Sequence, residues 1–126
     1  VVGNEIYRNQ HSGVYVHDNG SQLHGNDSAL DKDVQARHVA RVQENVIRDN
    51  TYFHKHGGKG VTVERGGNVE IVDNVIENVG KPRQPAVGVS FTEGGTGVVE
   101  GNLITQKVGT AIKIEPGCSP AVTENQ

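Results

Sequence analysis

The stretch GVTVERGGNVEIVDNVIEN (residues 60–78) decides how the chain folds. Its many β-branched residues disfavour a helix, while its Gly and Asn residues break any single long strand. It resolves into two phrases. The first is G-V-x-V, here Gly60 to Val63, which returns as GVYV at Gly13, GVSF at Gly88 and, with Ala for Gly, AIKI at Ala111. The second, an apolar residue followed by two others and Asn, ends at Asn26, Asn45, Asn74, Asn102 and Asn125, with Asn4 in a shortened version.

The phrases keep register. Val63 to Asn74, Phe91 to Asn102 and Ile114 to Asn125 are each 11 residues, and Val16 to Asn26 is 10. Apolar and polar residues alternating over four or five positions mark a strand with one buried face. Several such strands per repeat, with an Asn at one corner, describe a coil whose Val, Ile, Leu and Phe point inward and stack on themselves. In this register Val61, Val63, Val89, Phe91, Ile112 and Ile114 point inward, and Thr62 faces solvent. An Asn at a sharp bend accepts the left-handed backbone region, and stacked Asn side chains bond from rung to rung.

These repeats resemble the right-handed parallel β-helix proteins of the pectate-lyase-like class. The resemblance spans nearly the whole chain. It implies an all-β, right-handed parallel β-helix of about five to six rungs, a single domain over residues 1–126, and an extracellular or periplasmic location. The chain begins at Val1 rather than Met, as a fragment of a larger assembly or a repeat unit within one would.

One circuit departs from the pattern. Between Asn26 and Asn45 there is no G-V-x-V, and Leu30, Val34, His38 and Val42 lie four apart behind Ser28 and Asp31, which sit like a cap. The segment reads either as a short helical excursion over 28–40 or as a degenerate rung.

The arc from G-V-x-V to Asn is nearly fixed, so length variation falls in the other arc. It runs 18 residues from Asn45 to Val63 and 17 from Asn74 to Phe91, against 12 in the first and last rungs. Loops grafted on a rigid solenoid are a common place for function. The four matching segments, residues 9–17, 50–63, 78–92 and 105–114, contain none of the chain's 15 carboxylates. They hold His11, His17, His54, Lys55, His56, Lys59, Lys81, Arg83, Lys107 and Lys113, with Tyr52 and Phe53 beside them. A positive stripe on a body of net charge −3 selects an extended polyanion by its local field.

These residue types suit uronate chemistry. A cation must neutralise the substrate carboxylate before a base removes the neighbouring proton. His54, Lys55 or His56 supplies a base, Tyr52 a proton donor, and Lys59, Lys81, Arg83, Lys107 and His11 bind substrate. Paired acids for glycoside hydrolysis are absent from this edge. VTVERGGN also resembles the arginine-bearing strand of β-helix alginate and chondroitin lyases, but those pair the arginine with a lysine one rung earlier. Glu44 stands there, so Arg65 receives no such role.

The function expected is therefore binding, and on some readings cleavage or epimerisation, of an acidic polysaccharide. Whether the chain is an enzyme stays open. The alternative is a structural module stacking end to end in a fibre, adhesin or tail-spike stem, since Val1, Val2 and residues 121–126 both lie in repeat phrases. No metal is expected: His54 and His56 lack a third zinc ligand. The stacked carboxylates leave Ca²⁺ as the one cofactor considered. The net charge argues against nucleic acid, and no apolar run is long enough to span a bilayer. The lone Cys118 reads as a small buried apolar residue.

Overall fold

The computed structural model describes residues 1–7, 12–17, 39–48, 58–78 and 85–126. They form twelve strands: β1 (Glu5–Tyr7), β2 (Ser12–His17), β3 (Ala40–Gln43), β4 (Val46–Arg48), β5 (Lys59–Glu64), β6 (Asn68–Val72), β7 (Val75–Asn78), β8 (Ala86–Phe91), β9 (Thr96–Glu100), β10 (Leu103–Gln106), β11 (Gly109–Ile114) and β12 (Ala121–Thr123). Every third strand pairs in parallel, giving three four-stranded sheets. Sheet A is β3-β6-β9-β12, sheet B is β1-β4-β7-β10 and sheet C is β2-β5-β8-β11. The fold is a parallel β-helix.

The stretch 60–78 thus makes most of one circuit. It gives β5, a turn at Arg65 and Gly66, β6, a corner at Asp73 and Asn74, and β7. Arg65 and Gly66 both have positive φ, 50° and 69°, and Gly67 N–H donates to Glu64 O at 2.9 Å, a tight primed turn.

The core is a set of stacked apolar columns, one of them identical throughout. In sheet B, Ile6, Ile47, Ile76 and Ile104 stack in register. In sheet C, Val61, Val63, Val89 and Phe91 are fully buried. Ile112 is half-buried against them, and Ile114, on the last coil, is 45% exposed because no described strand follows it. Cys118, read from the sequence as buried, is only partly buried against the same core.

The described residues make four coils. Asn4 N–H donates directly to Asn45 Oδ1 at 2.9 Å, and β1, β2 and β3 pair directly with β4, β5 and β6. No rung therefore intervenes between Asn4 and Asn45. Residues 18–38 join β2 to β3 in chain order. Asn26 and nearly all of the 28–40 segment lie outside the described residues.

The corner differs from expectation in one respect. The left-handed residue is not the Asn but the one before it: Gly3, Glu44, Asp73, Gly101 and Glu124 have φ between 53° and 66°. Each Asn instead turns inward. Asn45, Asn74 and Asn102 are 1% exposed, and each Nδ2 donates to the Oδ1 of the Asn in the next coil at 2.8–3.1 Å. The second Nδ2 hydrogen reaches back to a backbone carbonyl of the preceding coil, Val1 O, Val42 O or Ile71 O.

Candidate functional site

The edge between sheets B and C carries the sequence-predicted site. Residues 8–11, 49–58, 79–85 and 107–108 join β1 to β2, β4 to β5, β7 to β8 and β10 to β11. Because both flanking sheets are in register, the ends of all four connections line up on one edge of the column. Their unequal lengths are the arc variation visible in the sequence. Tyr52, His54, Lys55, His56, Lys81, Arg83 and His11 belong to these connections and lie outside the described residues. Lys107 is exposed on the short connection of the last coil, and Lys59 is half-buried as the first residue of β5.

The adjoining outer face of sheet C is shaped by the Gly of G-V-x-V. In all three ladders the pairing skips this position, passing from Ser12↔Lys59 to Val14↔Val61, from Lys59↔Val87 to Val61↔Val89, and from Thr110↔Val87 to Ile112↔Val89. The strands bend there. A Cβ on Gly88 would lie 2.5 Å from Ala111 O and 2.6 Å from Ile104 Cγ2, so the bend admits no side chain within the stack. Ala111 occupies the same place in the last described coil, which explains the one Ala in the repeat.

The bend brings Ser12 and Thr62, three ladder positions apart, to 2.6 Å between hydroxyl oxygens. Thr62 was expected to face solvent; it is 1% exposed, as is its neighbour in register, Ser90. The outer row Tyr15, Thr62, Ser90, Lys113 is therefore sheltered in the middle and open at its ends, where Tyr15 and Lys113 are exposed. Ser90 Oγ is buried with no hydrogen-bond partner. Sequence alternation alone could not find this row, because it places Thr62 and Ser90 on an outer face without revealing that both are buried there.

Burial holds Lys59 below the usual lysine range; the Lys113 ammonium pushes the same way and Glu115 opposes it. Lys113 also pairs with Glu115 at 3.6 Å. The Tyr15 and His17 rings on β2 meet at a tilt of 57°, with centroids 5.0 Å apart. Arg65 sits away from this edge, on the turn between sheets C and A, within 3.8 Å of Glu64 and 3.7 Å of Glu93. Among the described residues no group of three or more His, Cys, Asp or Glu is placed to hold a metal ion, and no helix is long and apolar enough to cross a membrane.

At the C-terminal end, Ile104, Ile112 and Val122 line an open cavity of about 380 Å³. Asn125 and Gln126 begin a fifth layer, since Gln126 N–H donates to Asn102 O just as Leu103 N–H does to Asn74 O.

A family model described as right handed beta helix region matches residues 1–126. No curated protein and no solved structure matches the chain.

Proposed function

The chain belongs to the right-handed β-helix family, and from that premise we propose that it binds an acidic polysaccharide along the edge between sheets B and C. One observation carries the reading. The segments forming this edge and the strands they enter, residues 9–17, 50–63, 78–92 and 105–114, contain no carboxylate and ten Lys, Arg or His residues in a chain of net charge −3. The register of sheets B and C supports it by lining up the ends of these segments over four coils, roughly 14 Å along the column. A polymer of regularly spaced anions matches a row of cations repeated at each coil. The setting is extracellular or periplasmic, where such polymers occur, and cleavage or epimerisation by His54, Lys55 or His56 with Tyr52 is the catalytic extension of the same reading.

The test is binding to polygalacturonate and alginate as a function of salt. Affinity falls as the Debye length shrinks from ~10 Å at 0.1 M to ~3 Å at 1 M. Changing Lys55, Lys81 and Arg83 together to Ser removes most of the binding, while changing Lys32, Arg37 and Arg41 matters less. Lyase action generates an unsaturated product absorbing in the ultraviolet, and its loss on single changes at His54, Lys55 or His56 identifies the base. Salt-independent binding, or none to any acidic glycan with the fold intact, overturns the reading.

A further inference from the structure

We infer that the side-chain amide of Gln106 holds a single water molecule sealed inside the corner between sheets B and C. The site faces the interior of the column and is independent of acidic-glycan binding on the outside.

Alternation along β10 turns Leu103 and Thr105 outward, where both are exposed, and Ile104 and Gln106 inward, where both are partly buried. Gln106 ends the strand, so its side chain lies where the inner face of sheet B meets sheet C. A Cβ on Gly88 of β8 would lie 2.6 Å from Ile104 Cγ2 and 3.1 Å from Gln106 Nε2, so the bare glycine leaves the space that these two side chains use. Gln106 Nε2 and Oε1 are both buried, and neither has a hydrogen-bond partner among the described residues. One coil back in register stands Asn78, another amide, yet no bond to it completes Gln106 in the way that Asn74 and Asn102 complete one another at the other corner.

Buried polar atoms in native structures are paired, with protein or with water. The identity of the ligand follows from the two deficits occurring together. An anion answers only the nitrogen, and a cation only the oxygen. Water answers both, because one molecule on the edge of a primary amide accepts from its N–H and donates to its C=O. The second hydrogen of that water also has an acceptor at hand. The Cβ position on Gly88 is 2.5 Å from Ala111 O as well as 3.1 Å from Gln106 Nε2, which puts the carbonyl and the amide within reach of one bridging molecule. A carbonyl oxygen has two lone pairs to offer. The water then makes roughly three hydrogen bonds, the usual number for a buried one. A sugar or a peptide is too large to enter between atoms already closed to solvent. Bridging Gln106 to Ala111 clamps β10 to β11 across residues 107–108, the short connection from which Lys107 projects.

NMR and crystallography on the full chain test this, with water itself as the probe. The Gln106 side-chain N–H protons should show cross-peaks to water of opposite sign in NOE and ROE spectra, the signature of a long-lived bound molecule. A solvent peak should lie within ~3.2 Å of both Nε2 and Oε1 in the electron density. Gln106→Met, similar in length and unable to make these bonds, should lose that peak and leave the urea midpoint unchanged or lower, whereas removing an unsatisfied amide would raise it. A wild-type amide without water cross-peaks, density in which Gln106 bonds only to protein atoms, or a raised midpoint in Gln106→Met each overturns the assignment.

Discussion

The Asn column at the corner of sheets A and B and the hydroxyl row on sheet C are both polar rows buried by stacking, yet they end differently. In the first, each side chain is completed by the same residue one coil away: Asn74 accepts from Asn45 N and Nδ2 and donates to Asn102 Oδ1 and Val42 O. In the second, the residues differ from coil to coil, Ser12 and Thr62 pair, and Ser90 is left over. Repetition of one residue closes a polar network on itself, whereas variation leaves a group for something else to satisfy. The corner is thus scaffold, and the bend is where the chain departs from its repeat.

The sharpest way to break this contrast is Asn74→Ala. It strands two buried donors on Asn45 and one acceptor, Val42 O, while Asn102 Oδ1 keeps the Asn74 backbone N–H, and at ~1–3 kcal/mol for a buried group left unpaired the loss should be about 4 kcal/mol. Urea denaturation showing less than about 1 kcal/mol would mean that the column is not a structural network. Gly88→Ala tests the bend that makes the other row. With Ala111 O at 2.5 Å the strand must shift, costing about 1–3 kcal/mol, while Ala111→Gly on the open coil should cost less than about 1 kcal/mol.

Ser90→Ala should move the other way, gaining up to about 1 kcal/mol by removing an unpaired buried hydroxyl; a clear loss would show that the oxygen is already satisfied. Asp73→Gly probes the corner backbone rather than its side chains. Relief of a left-handed φ of 54° against the greater unfolded entropy of Gly leaves a net gain of about 0.5 kcal/mol, readable as a small rise in Tm. Lys59 adds a pH signature. Its folded pKa lies below the unfolded value of 10.5, so between the two the unfolded chain holds more protons. Stability should therefore rise with pH across that window, and Lys59→Met should flatten the slope.

The scaffold was legible because it is written in repeats. G-V-x-V gave sheet C, the recurring Asn gave the corner, and the fixed 11-residue arc put Val63 and Asn74 in the right relation. What misled was local resemblance without a stack to test it. Asn26 carries the phrase of a corner, but only pairing partners tell a coil from an excursion, and Asn4 pairs with Asn45. Thr62 failed for a related reason: alternation assigns a side of the strand, while burial depends on the bend at the preceding Gly and on the two strands that flank β5. The candidate edge was legible as composition, a stretch without acids, since the sequence shows which residues share an arc. The unpartnered Ser90 hydroxyl was not, because burial and a missing partner are properties of the assembled fold.

The Asn column has a direction. Every bond along it runs from an amide of one coil to the Oδ1 of the next, from Asn4 through Asn45, Asn74 and Asn102 to Asn125. Five side-chain amides joined by four such bonds therefore add their dipoles along the solenoid axis, with positive N–H groups toward the C-terminal end and carbonyl oxygens toward the N-terminal end. Each bond polarises the next, by an order of 10–30% in condensed-phase terms. The protein carries a polar wire down one corner, and every further coil bearing the same Asn would strengthen the coils already there.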